Sequence, residues 1–523
     1  MIEFALLGFS LFQLAASADP AIQWDLSSVS ASDAQSVSQG YIGFGIEAKS
    51  WPDYAGTDEP NKLSDFLLSK LSTRTGNGPI HLRIGGTSLD NTIYDASASF
   101  TSKPTDPRDT CKLHTNVTLG KPWLEKTFTN LNASYTRYTL DIPFARLNKT
   151  NGIEFATACI NAMPSKTKQL EAIEIGNEPN FYTSFPTPSC GPHDRPTNWD
   201  NKAYAKQWTT YAQNLTSKVA ALKQSGKTNW FQTLGLASTY PVDKWTFADF
   251  WADLTAGGFV KTASQHFYQV GSEGFLVDYP VDHRNTANVM QKKFSDNIKF
   301  LNNHDNVPLI LGEVGTVLSS SNKNENQDLF NALGSAIWTF DFLLQGMSMG
   351  ISRVSMQMGT GFKIAAWQPV ADKAVHASYY GLVAGADFVG GQGNLKIHAL
   401  SADGHPAISG YAGFNNGKLM KIAVVNTGAW NKTTSNPNRP ERDVNFTGLG
   451  DDVKQVKVSK LTAPGGAVDK NVTWAGKKWT ADGDGREQDV GEKPGTIKVQ
   501  NGSPVSNVTI GASEAILVEL IRA

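Results

Sequence analysis

Eight short β-rich runs alternate with helical stretches between about residues 40 and 380, and this alternation limits the possible folds more than any other feature of the sequence. Strands that alternate with helices predict βαβ units and a parallel sheet. Eight such units predict a closed (β/α)8 TIM barrel, an α/β fold. An open doubly wound sheet is the alternative, but no glycine-rich phosphate loop follows the first run. The eight runs are Tyr41–Ala48, Ile80–Gly85, Tyr135–Pro143, Leu170–Gly176, Phe231–Ser238, Ala263–Val270, Pro308–Gly312 and Ile351–Met358.

Three helical patterns between these runs are clear enough to place. Lys202–Gln224 and Ala287–Asn303 are amphipathic, as expected of helices that cover the outside of a barrel. Asp328–Met349 is apolar on almost every face. That pattern predicts a helix packed inside a large core.

The sequence changes character after about residue 385. Helical periodicity stops, and Gly, Asn, Asp and Pro separate short Val-, Ile- and Thr-rich runs, which predicts a C-terminal antiparallel β-sandwich. The expected order is a signal peptide at 1–18, an N-terminal strand at 19–39 that joins the sandwich, the barrel at 40–384 and the sandwich at 385–523. The sandwich runs are Leu419–Asn426, Val453–Leu461, Gly495–Val499 and Ala515–Leu520.

The N-terminus has the features of a secretory leader. Phe4–Leu14 is an apolar run too short to span a membrane, and Ala16-Ser17-Ala18 is a small-x-small cleavage pattern. We expect cleavage after Ala18 and an extracellular protein. No Lys or Arg precedes the apolar run, so a short buried helix is the alternative.

Potential N-glycosylation sites agree with secretion, because Asn-x-Ser/Thr is the acceptor pattern of secreted proteins. A further sequon, Asn501, is weakened by Pro504. The expected glycosylation sites are Asn116, Asn132, Asn148, Asn214, Asn431, Asn445, Asn471 and Asn507.

Charge and cysteine content exclude several classes of partner. The chain has 47 Lys and Arg against 48 Asp and Glu, whereas nucleic acids and anionic membranes require a basic surplus. No cysteine pair has the spacing of a metal site, so we expect no metal and no cofactor. In an oxidising compartment, Cys111, Cys159 and Cys190 would form one disulfide and leave one thiol, with the pair left open. We expect a monomer.

Two glutamates follow apolar β runs, where barrel enzymes carry catalytic groups. The segment Glu174–Asn180 ends a strand at Gly176 and then presents Asn177 and Glu178, and Pro179 biases Glu178 away from the helical region. Glu313 follows the apolar run of the seventh unit. Each glutamate alone could be a polar turn residue or a solvated strand end. Together they would face one bowl at the top of the barrel.

Two carboxyls in one pocket are what glycosidic cleavage requires. One donates a proton to the leaving oxygen, and the other attacks the anomeric carbon or activates water. Asn177, beside the acid, could bond the 2-hydroxyl of the sugar. A glycoside hydrolase is therefore the predicted class.

Several local motifs resemble glycoside hydrolase family 79, the β-glucuronidase and heparanase-like group of retaining barrel glycosidases. The resemblance runs through most of the barrel. It implies hydrolysis by double displacement and a carbohydrate substrate with a terminal uronic acid. The motifs are Gly43–Glu47, Leu82–Ser88, Glu174–Asn180, Gln265–Tyr268, Gly312–Gly315 and Trp367–Pro369.

The resemblance also assigns roles to residues. It implies that Glu178 is the general acid/base and Glu313 the nucleophile. Tyr268 is the better of two pocket tyrosines for contacting the uronate carboxylate, together with backbone N–H groups near Ser319 and Ser320. His266 is interpreted as a pocket wall. The substrate-binding residues implied are Asn177, Glu47, Ser88, Tyr240, Tyr268, Ser320 and Trp367.

Other residues fit the resemblance less well. Arg83 lies inside the second strand and is interpreted as a buried arginine that pairs with a barrel carboxylate. Gly361–Trp367 has no tyrosine where relatives are expected to carry one, and Lys363 could replace it as a cation.

Three functions are compatible with the sequence. The first is a secreted retaining exo-β-glucuronidase that removes terminal glucuronic acid, including the 4-O-methylated form. The second is a retaining barrel glycosidase that cuts neutral β-glycans or acts as a heparanase-like endo-enzyme. The third is a non-catalytic carbohydrate-binding protein, which both glutamates argue against. Asp95–Thr118 and Tyr182–Trp199 are long enough to block one end of a cleft, which favours exo action.

Overall fold

The computed structural model describes residues 21–106, 116–186, 190–237, 245–270, 282–317, 331–402, 404–431, 437–490, 493–500 and 502–523. Several predictions lie outside these residues. They are the signal peptide, Cys111, Tyr240, Ser319, Ser320 and Asn501.

Eight parallel strands close into a barrel, which confirms the predicted fold class. Closure is made by the first and eighth strands, where Ile42 pairs with Val354. We number the barrel strands from first to eighth in chain order. They are Ile42–Glu47, Ile80–Gly85, Thr136–Ile142, Leu170–Ile175, Phe231–Leu236, Val260–Val270, Leu309–Val317 and Arg353–Met358. The seventh strand runs five residues beyond the predicted end at Gly312, so Glu313 lies within it and not after it.

Helices surround the barrel, with one correction to the predicted pattern. Val219 has an extended backbone that divides the predicted helix Lys202–Gln224 in two. Leu333–Met349 is buried on every side from Leu333 to Met347, as its apolar sequence predicts. The α-helices are Trp51–Ala55, Lys62–Arg74, Thr87–Asp90, Pro122–Glu125, Thr127–Asn130, Lys149–Ala162, Asn201–Lys218, Ala220–Ser225, Phe247–Thr255, His283–Asn303, Leu333–Met349 and Ala377–Val389.

A predominantly antiparallel β-domain follows the barrel. A large sheet and a three-stranded sheet enclose a second apolar core that includes Trp24, Phe446 and Ile422. Ile22–Asp25 pairs in parallel with Glu441–Thr447, so the first described strand belongs to this domain. Its remaining strands are Gln35–Ser36, Leu395–Leu400, Ile408–Asn415, Lys418–Asn426, Val453–Thr462, Thr473–Trp474, Lys477–Trp479, Glu487–Asp489, Gly495–Lys498, Val505–Gly511 and Glu514–Arg522.

The predicted boundary at residues 384 and 385 cuts the last barrel helix and is wrong. Ala377–Val389 stays apolar and buried across that point and ends only at Gly390, which adopts φ +66°.

Two smaller sheets lie outside the main layers. Trp367–Gln368 pairs with Ala374–Val375, and Ile93–Asp95, Ser102–Pro104 and Val117–Gly120 form a three-stranded sheet within the expected loop after the second barrel strand.

One glycosylation prediction is contradicted by burial. Asn431 is buried, its Oδ1 accepts the backbone N–H of Ala467, and it pairs with Gly465, so a glycan has no room there. Asn132, Asn148, Asn471 and Asn507 are exposed, and Asn116, Asn214 and Asn445 are half-buried.

The cysteines follow the expected division into one disulfide and one free thiol. Cys190 is disulfide-bonded, whereas Cys159 is a free buried thiol.

A layer of ionisable side chains closes the N-terminal end of the barrel. His81, Glu171, Lys261 and Arg353 come from the first or second residues of the even-numbered strands, the arrangement that barrel interiors favour. Glu171 lies 2.8 Å from Lys261 Nζ and 3.5 Å from Arg353 Nη1. Burial raises the pKa of Glu171, but the surrounding cations, Arg353 first, outweigh burial and lower the pKa to about 2.

We expect Glu171→Gln to lower the free energy of unfolding by about 3 kcal/mol near neutral pH, because it leaves two cations without their partner. The pKa of Glu171 is lower in the folded chain, so its contribution is present above its ordinary pKa of 4.5 and is lost as the pH falls toward about 2. Urea unfolding of both proteins at several pH values measures this difference. A difference that does not narrow in acid would show that packing, not charge, is responsible.

Candidate active site

Glu178 lies in a strained turn immediately after the fourth barrel strand. Gly176 has φ +81°, and a Cβ there would lie 2.5 Å from the Tyr182 hydroxyl oxygen, so only glycine fits. Glu178 has φ +49° and ψ +52°. Pro179 was predicted to bias Glu178 away from the helical region, and Glu178 lies in the left-handed region. Such a conformation costs about 1–3 kcal/mol and persists only when surrounding contacts hold it.

A β-bulge turns Glu313 into the barrel from the seventh strand. His266 pairs with Glu313 and Gln265 with Leu311, so Gly312 has no partner on the sixth strand. A Cβ on Gly312 would lie 2.4 Å from Ser264 Oγ, which requires glycine at the bulge. Bulges beside active sites commonly redirect a side chain in this way.

The two glutamates meet at the top of the barrel. One carboxylate oxygen of Glu178 and one of Glu313 lie within 4.8 Å of each other. Carboxyl groups about 5–5.5 Å apart are typical of retaining glycosidases, whereas inverting enzymes need about 6.5–9.5 Å to admit a water molecule. The bound on this distance fits the closer of the two spacings.

His266 lies between the two carboxylates, which the sequence interpretation as a pocket wall missed. Its Nδ1 is 2.9 Å from Glu178 Oε1 and 3.6 Å from Glu313 Oε2. Burial lowers the pKa of His266, but the charge of Glu313 and the bond to Glu178 outweigh burial and raise it. Strand alternation was the available signal, because His266 and Tyr268 must face the same side of the sixth strand.

Arg83 pairs with barrel carboxylates, as predicted, but it also reaches the candidate nucleophile. Its guanidinium donates to Glu174, to Glu313 Oε1 at 2.8 Å and to Asn177 Oδ1 at 2.8 Å. Burial raises the pKa of Glu313, but His266 and then Arg83 outweigh burial and bring it below its ordinary value. Glu313 is therefore held as an anion.

Tyr268 contacts the candidate nucleophile Glu313, a contact that its predicted role beside a substrate carboxylate did not include. The Tyr268 hydroxyl donates to Glu313 Oε2 at 2.8 Å. Gly315, its register partner, permits this approach, because a Cβ there would lie 2.9 Å from the tyrosine ring. Burial and the charge of Glu313 raise the pKa of Tyr268 well above its usual range, so the hydroxyl keeps its proton.

We expect Tyr268→Phe to lower kcat/KM by about 10–100-fold on any substrate, because a hydrogen bond to a charged group contributes about 1.5–3 kcal/mol. The loss should be equal for substrates with and without a carboxylate. Steady-state kinetics on a matched pair of glycosides measures it. A loss confined to the carboxylated substrate would instead support the predicted contact of Tyr268 with the substrate carboxylate.

Glu47 and Ser88 form a second polar group on the floor of the bowl. Ser88 Oγ donates to Glu47 Oε2 at 2.5 Å, and Gln357 donates to Glu47 Oε1 at 3.2 Å. Burial and then the charge of Glu313 raise the pKa of Glu47 to about 7. Near neutral pH this carboxyl can therefore both donate to and accept from sugar hydroxyls.

Asn177 retains a donor for a ligand. Its Oδ1 accepts from Arg83, while its Nδ2 makes a long bond of 3.3 Å to Thr87 Oγ1. The orientation fits the predicted contact with a sugar hydroxyl.

Trp367 belongs to the core and not to a binding surface, so its predicted role is wrong. It is fully buried, its indole N–H donates to Ser64 Oγ, and its ring packs against Phe44 and Tyr54. Phe44 lies on the outward face of the first strand, because Glu47 and Gly45 occupy the inward face. The tryptophan therefore fills space between the barrel and its helices.

A metal ion is a poor fit for the cluster of Glu178, His266 and Glu313. These three have ligand atoms close enough together to be considered. However, Arg83 and Tyr268 already donate hydrogen bonds to Glu313, and the guanidinium would repel a cation there. The donor set instead suits an anionic nucleophile beside a proton donor.

The β-domain and most of the chain are similar to known glycosidases. Residues 410–517 match the "Glycosyl hydrolase family 79 C-terminal beta domain". A "Beta-glucuronidase" of Neurospora crassa is 27% identical over 499 residues, which cover 85% of each chain. A "Beta-glucuronidase" of Aspergillus niger is 25% identical over 477 residues, covering 83% of this chain and 82% of the relative.

Solved structures agree on the fold. The 4-O-α-L-rhamnosyl-β-D-glucuronidase of Fusarium oxysporum superposes with a TM-score of 0.75 at 22% identity, covering 93% of this chain and 97% of that one. Among the residues that the structure describes, no helix is both long and apolar enough to cross a membrane. The match to a family 79 β-domain, the two relatives that span most of the chain and the shared barrel fold show a glycoside hydrolase that is similar to those of family 79.

Proposed function

We propose that the chain is a retaining exo-β-glucuronidase that hydrolyses terminal β-linked glucuronic acid by double displacement. The observation that carries the mechanism is the separation of the Glu178 and Glu313 carboxylate oxygens, which is within 4.8 Å. The relatives named as β-glucuronidases support the substrate.

The first displacement forms a glycosyl-enzyme. Glu313 attacks the anomeric carbon from one face, while protonated Glu178 donates its proton to the departing oxygen. Arg83 and Tyr268 hold the attacking carboxylate in place, and the charged form is favoured by the lowered pKa of Glu313. The second N–H of Asn177 Nδ2 can donate to the 2-hydroxyl beside the long bond to Thr87, a contact that strengthens in an oxocarbenium-like transition state.

The second displacement reverses the roles. Glu178, now a carboxylate, takes a proton from water, and the resulting nucleophile attacks the anomeric carbon and releases Glu313. His266, in reach of both carboxylates, orients Glu178 through its 2.9 Å contact. The two inversions return the original β configuration.

Recognition of the uronate is proposed to use neutral donors more than a cationic patch. The chain has a formal charge of −1, and hydroxyls and backbone N–H groups can bind an anion without net positive charge. Lys363, after the eighth strand, is the cation proposed to assist. Substrates with a 4-O-substituent are included in the proposal, because the similar Fusarium structure is that of a 4-O-α-L-rhamnosyl-β-D-glucuronidase.

Secretion is proposed on two grounds. The leader pattern ends in Ala16-Ser17-Ala18. Four sequon asparagines, at positions 132, 148, 471 and 507, are exposed and accessible to glycosylation.

The decisive experiment compares turnover of 4-nitrophenyl β-D-glucuronide with that of the matching β-glucoside and β-xyloside. We expect the glucuronide to be hydrolysed at least about tenfold faster in kcat/KM, since a buried charge-assisted contact contributes about 1.5–3 kcal/mol. Proton NMR of the first product should show the β anomer. Glu313→Ala is the control for contaminating activity.

Each alternative has its own outcome in this experiment. Preferential turnover of the glucoside or xyloside would favour a neutral β-glycosidase. Cleavage of internal bonds in a uronate polysaccharide, with release of oligosaccharides, would favour an endo-enzyme. Glycan binding without turnover of any glycoside would indicate a carbohydrate-binding protein.

A further inference from the structure

The strained turn that carries Glu178 is held by neighbours on two sides. On one side, the backbone N–H of Glu178 donates to the carbonyl of Gly235 on the fifth strand at 3.0 Å. On the other side, the backbone N–H of Asn177 donates to Asp90 Oδ2 at 3.2 Å. The first contact is part of the barrel wall, whereas the second is made by a single buried carboxyl.

Asp90 ends the short helix Thr87–Asp90 that follows the second barrel strand. It is 4% exposed, and both its oxygens are fully occupied. Oδ1 accepts the backbone N–H groups of Phe144 and Ala145 at 3.1 and 3.2 Å. Oδ2 accepts the Tyr182 hydroxyl at 2.5 Å in addition to Asn177. One carboxyl thus joins the loops after the second, third and fourth strands.

The Tyr182 contact reaches the same turn by a second route. The Tyr182 hydroxyl lies against Gly176, where a Cβ would be only 2.5 Å away. Asp90 therefore fixes the residue before Glu178 directly and the glycine before that through Tyr182. Among the described residues, the groups that donate hydrogen bonds to Asp90 are these four turn and loop donors. None of the four is a reacting group.

We propose that Asp90 is a positioning residue that holds Glu178 in its left-handed conformation and so aims the acid/base at the glycosidic oxygen. Asp90 does not touch the substrate and acts only through the turn. This inference rests on the proposed role of Glu178 as the acid/base.

The number of donors explains why a carboxylate is required at this position. Four N–H and O–H groups point at two oxygens, and an amide offers only one oxygen and presents its own N–H₂ to two of the donors. Asp90→Asn therefore preserves size but removes the acceptor on one side of the turn. Burial raises the pKa of Asp90 to about 7, as expected of a carboxyl withdrawn from water, so near neutral pH only part of the protein carries the carboxylate form, and that part grows as the pH rises above 7.

The test compares two substrates that differ in their need for an acid. An alkyl β-glucuronide requires protonation of its leaving oxygen, whereas 4-nitrophenyl β-glucuronide requires little. We expect Asp90→Asn to lower kcat/KM by roughly 100-fold on methyl β-glucuronide and by less than about tenfold on the nitrophenyl substrate. KM for the methyl glucuronide should change little, because the sugar pocket is intact. Tyr182→Phe should shift the ratio in the same direction by roughly threefold.

A matched control separates positioning from general loss of stability. Asp341 is a wholly buried carboxyl that accepts from Ser409 of the β-domain and contacts His283, outside the site. Asp341→Asn should lower the thermal unfolding temperature and leave the ratio of activities on the two substrates unchanged. An unchanged ratio in folded Asp90→Asn would overturn the inference.

Measuring Glu178→Ala in parallel distinguishes a failure of the proposed acid/base role of Glu178 from a failure of the positioning role of Asp90. If Glu178→Ala loses the same factor on both substrates, the proposed function of Glu178 fails. If Glu178→Ala shows the leaving-group dependence and Asp90→Asn does not, only the role of Asp90 fails. Should Asp90→Asn not fold, Tyr182→Phe decides, and an unchanged ratio in that variant rejects the positioning role.

Discussion

Replacing Glu313 by alanine is expected to lower kcat by roughly 10⁵–10⁶-fold, the order of loss seen when an enzyme is deprived of its covalent nucleophile. Among the residues that the structure describes, no other carboxylate is placed to replace it. Glu47 shares the bowl, but it accepts from Ser88 and Gln357, and its pKa of about 7 keeps it partly protonated. Neither its position nor its charge suits it to attack the anomeric carbon.

A small external anion should partly restore turnover in Glu313→Ala. Azide or formate can occupy the space left by the carboxylate, beside Arg83 and His266. With an aryl glucuronide the product should be the α-glycosyl adduct, because only one displacement takes place. Rescue that gave a β product would contradict Glu313 as the nucleophile. Rescue should also be absent in Glu313→Gln, which fills the same space.

Replacing Glu178 by alanine is expected to have a large effect that depends on the leaving group. On alkyl glycosides and disaccharides, loss of a general acid should cost roughly 10²–10⁴-fold in kcat/KM. On 4-nitrophenyl substrates the glycosylation step should be nearly unaffected, because the aryl oxide departs without a proton. The second step loses its general base, so a burst of nitrophenol followed by slow turnover is expected.

Pre-steady-state release of nitrophenol measures this behaviour. The amplitude of the burst should equal the concentration of folded enzyme, and azide should accelerate the slow phase by attacking the glycosyl-enzyme. An equal loss on aryl and alkyl substrates in the first step would show that Glu178 is not the acid. Inverted product from the unmodified enzyme would reject double displacement altogether.

The sequence predicts that the two glutamates lie close together, but it does not predict which side chains surround them. Two carboxyls that end parallel strands of one barrel must share its C-terminal face. The sequence does not reveal that His266 lies between them or that Tyr268 bonds to Glu313. Those contacts depend on the bulge at Gly312 and on the glycine at 315, which set the depth at which each side chain enters the bowl.

Trp367 shows the opposite kind of error. Its motif resembles that of a family whose members are glycosidases, and the resemblance suggested a role in the pocket. Packing between the barrel and its helices places Trp367 in the core instead. The indole packs against Phe44 on the outward face of the first strand and donates its N–H to Ser64. A local motif does not show which side of a barrel wall a following loop packs against.

The sequence by itself determined the barrel, the β-domain and the two glutamates, because strand and helix periodicity and strand-end residues are encoded within a few neighbouring positions. The tertiary structure decided how those glutamates are held. The left-handed turn at Glu178 is stabilised by Asp90, which lies 178 − 90 = 88 positions earlier in the chain. The charge of Glu313 is balanced by Arg83, which lies 230 positions earlier. Contacts of this kind form only when the barrel closes and brings the second strand opposite the fourth and the seventh. A local sequence pattern therefore cannot predict them.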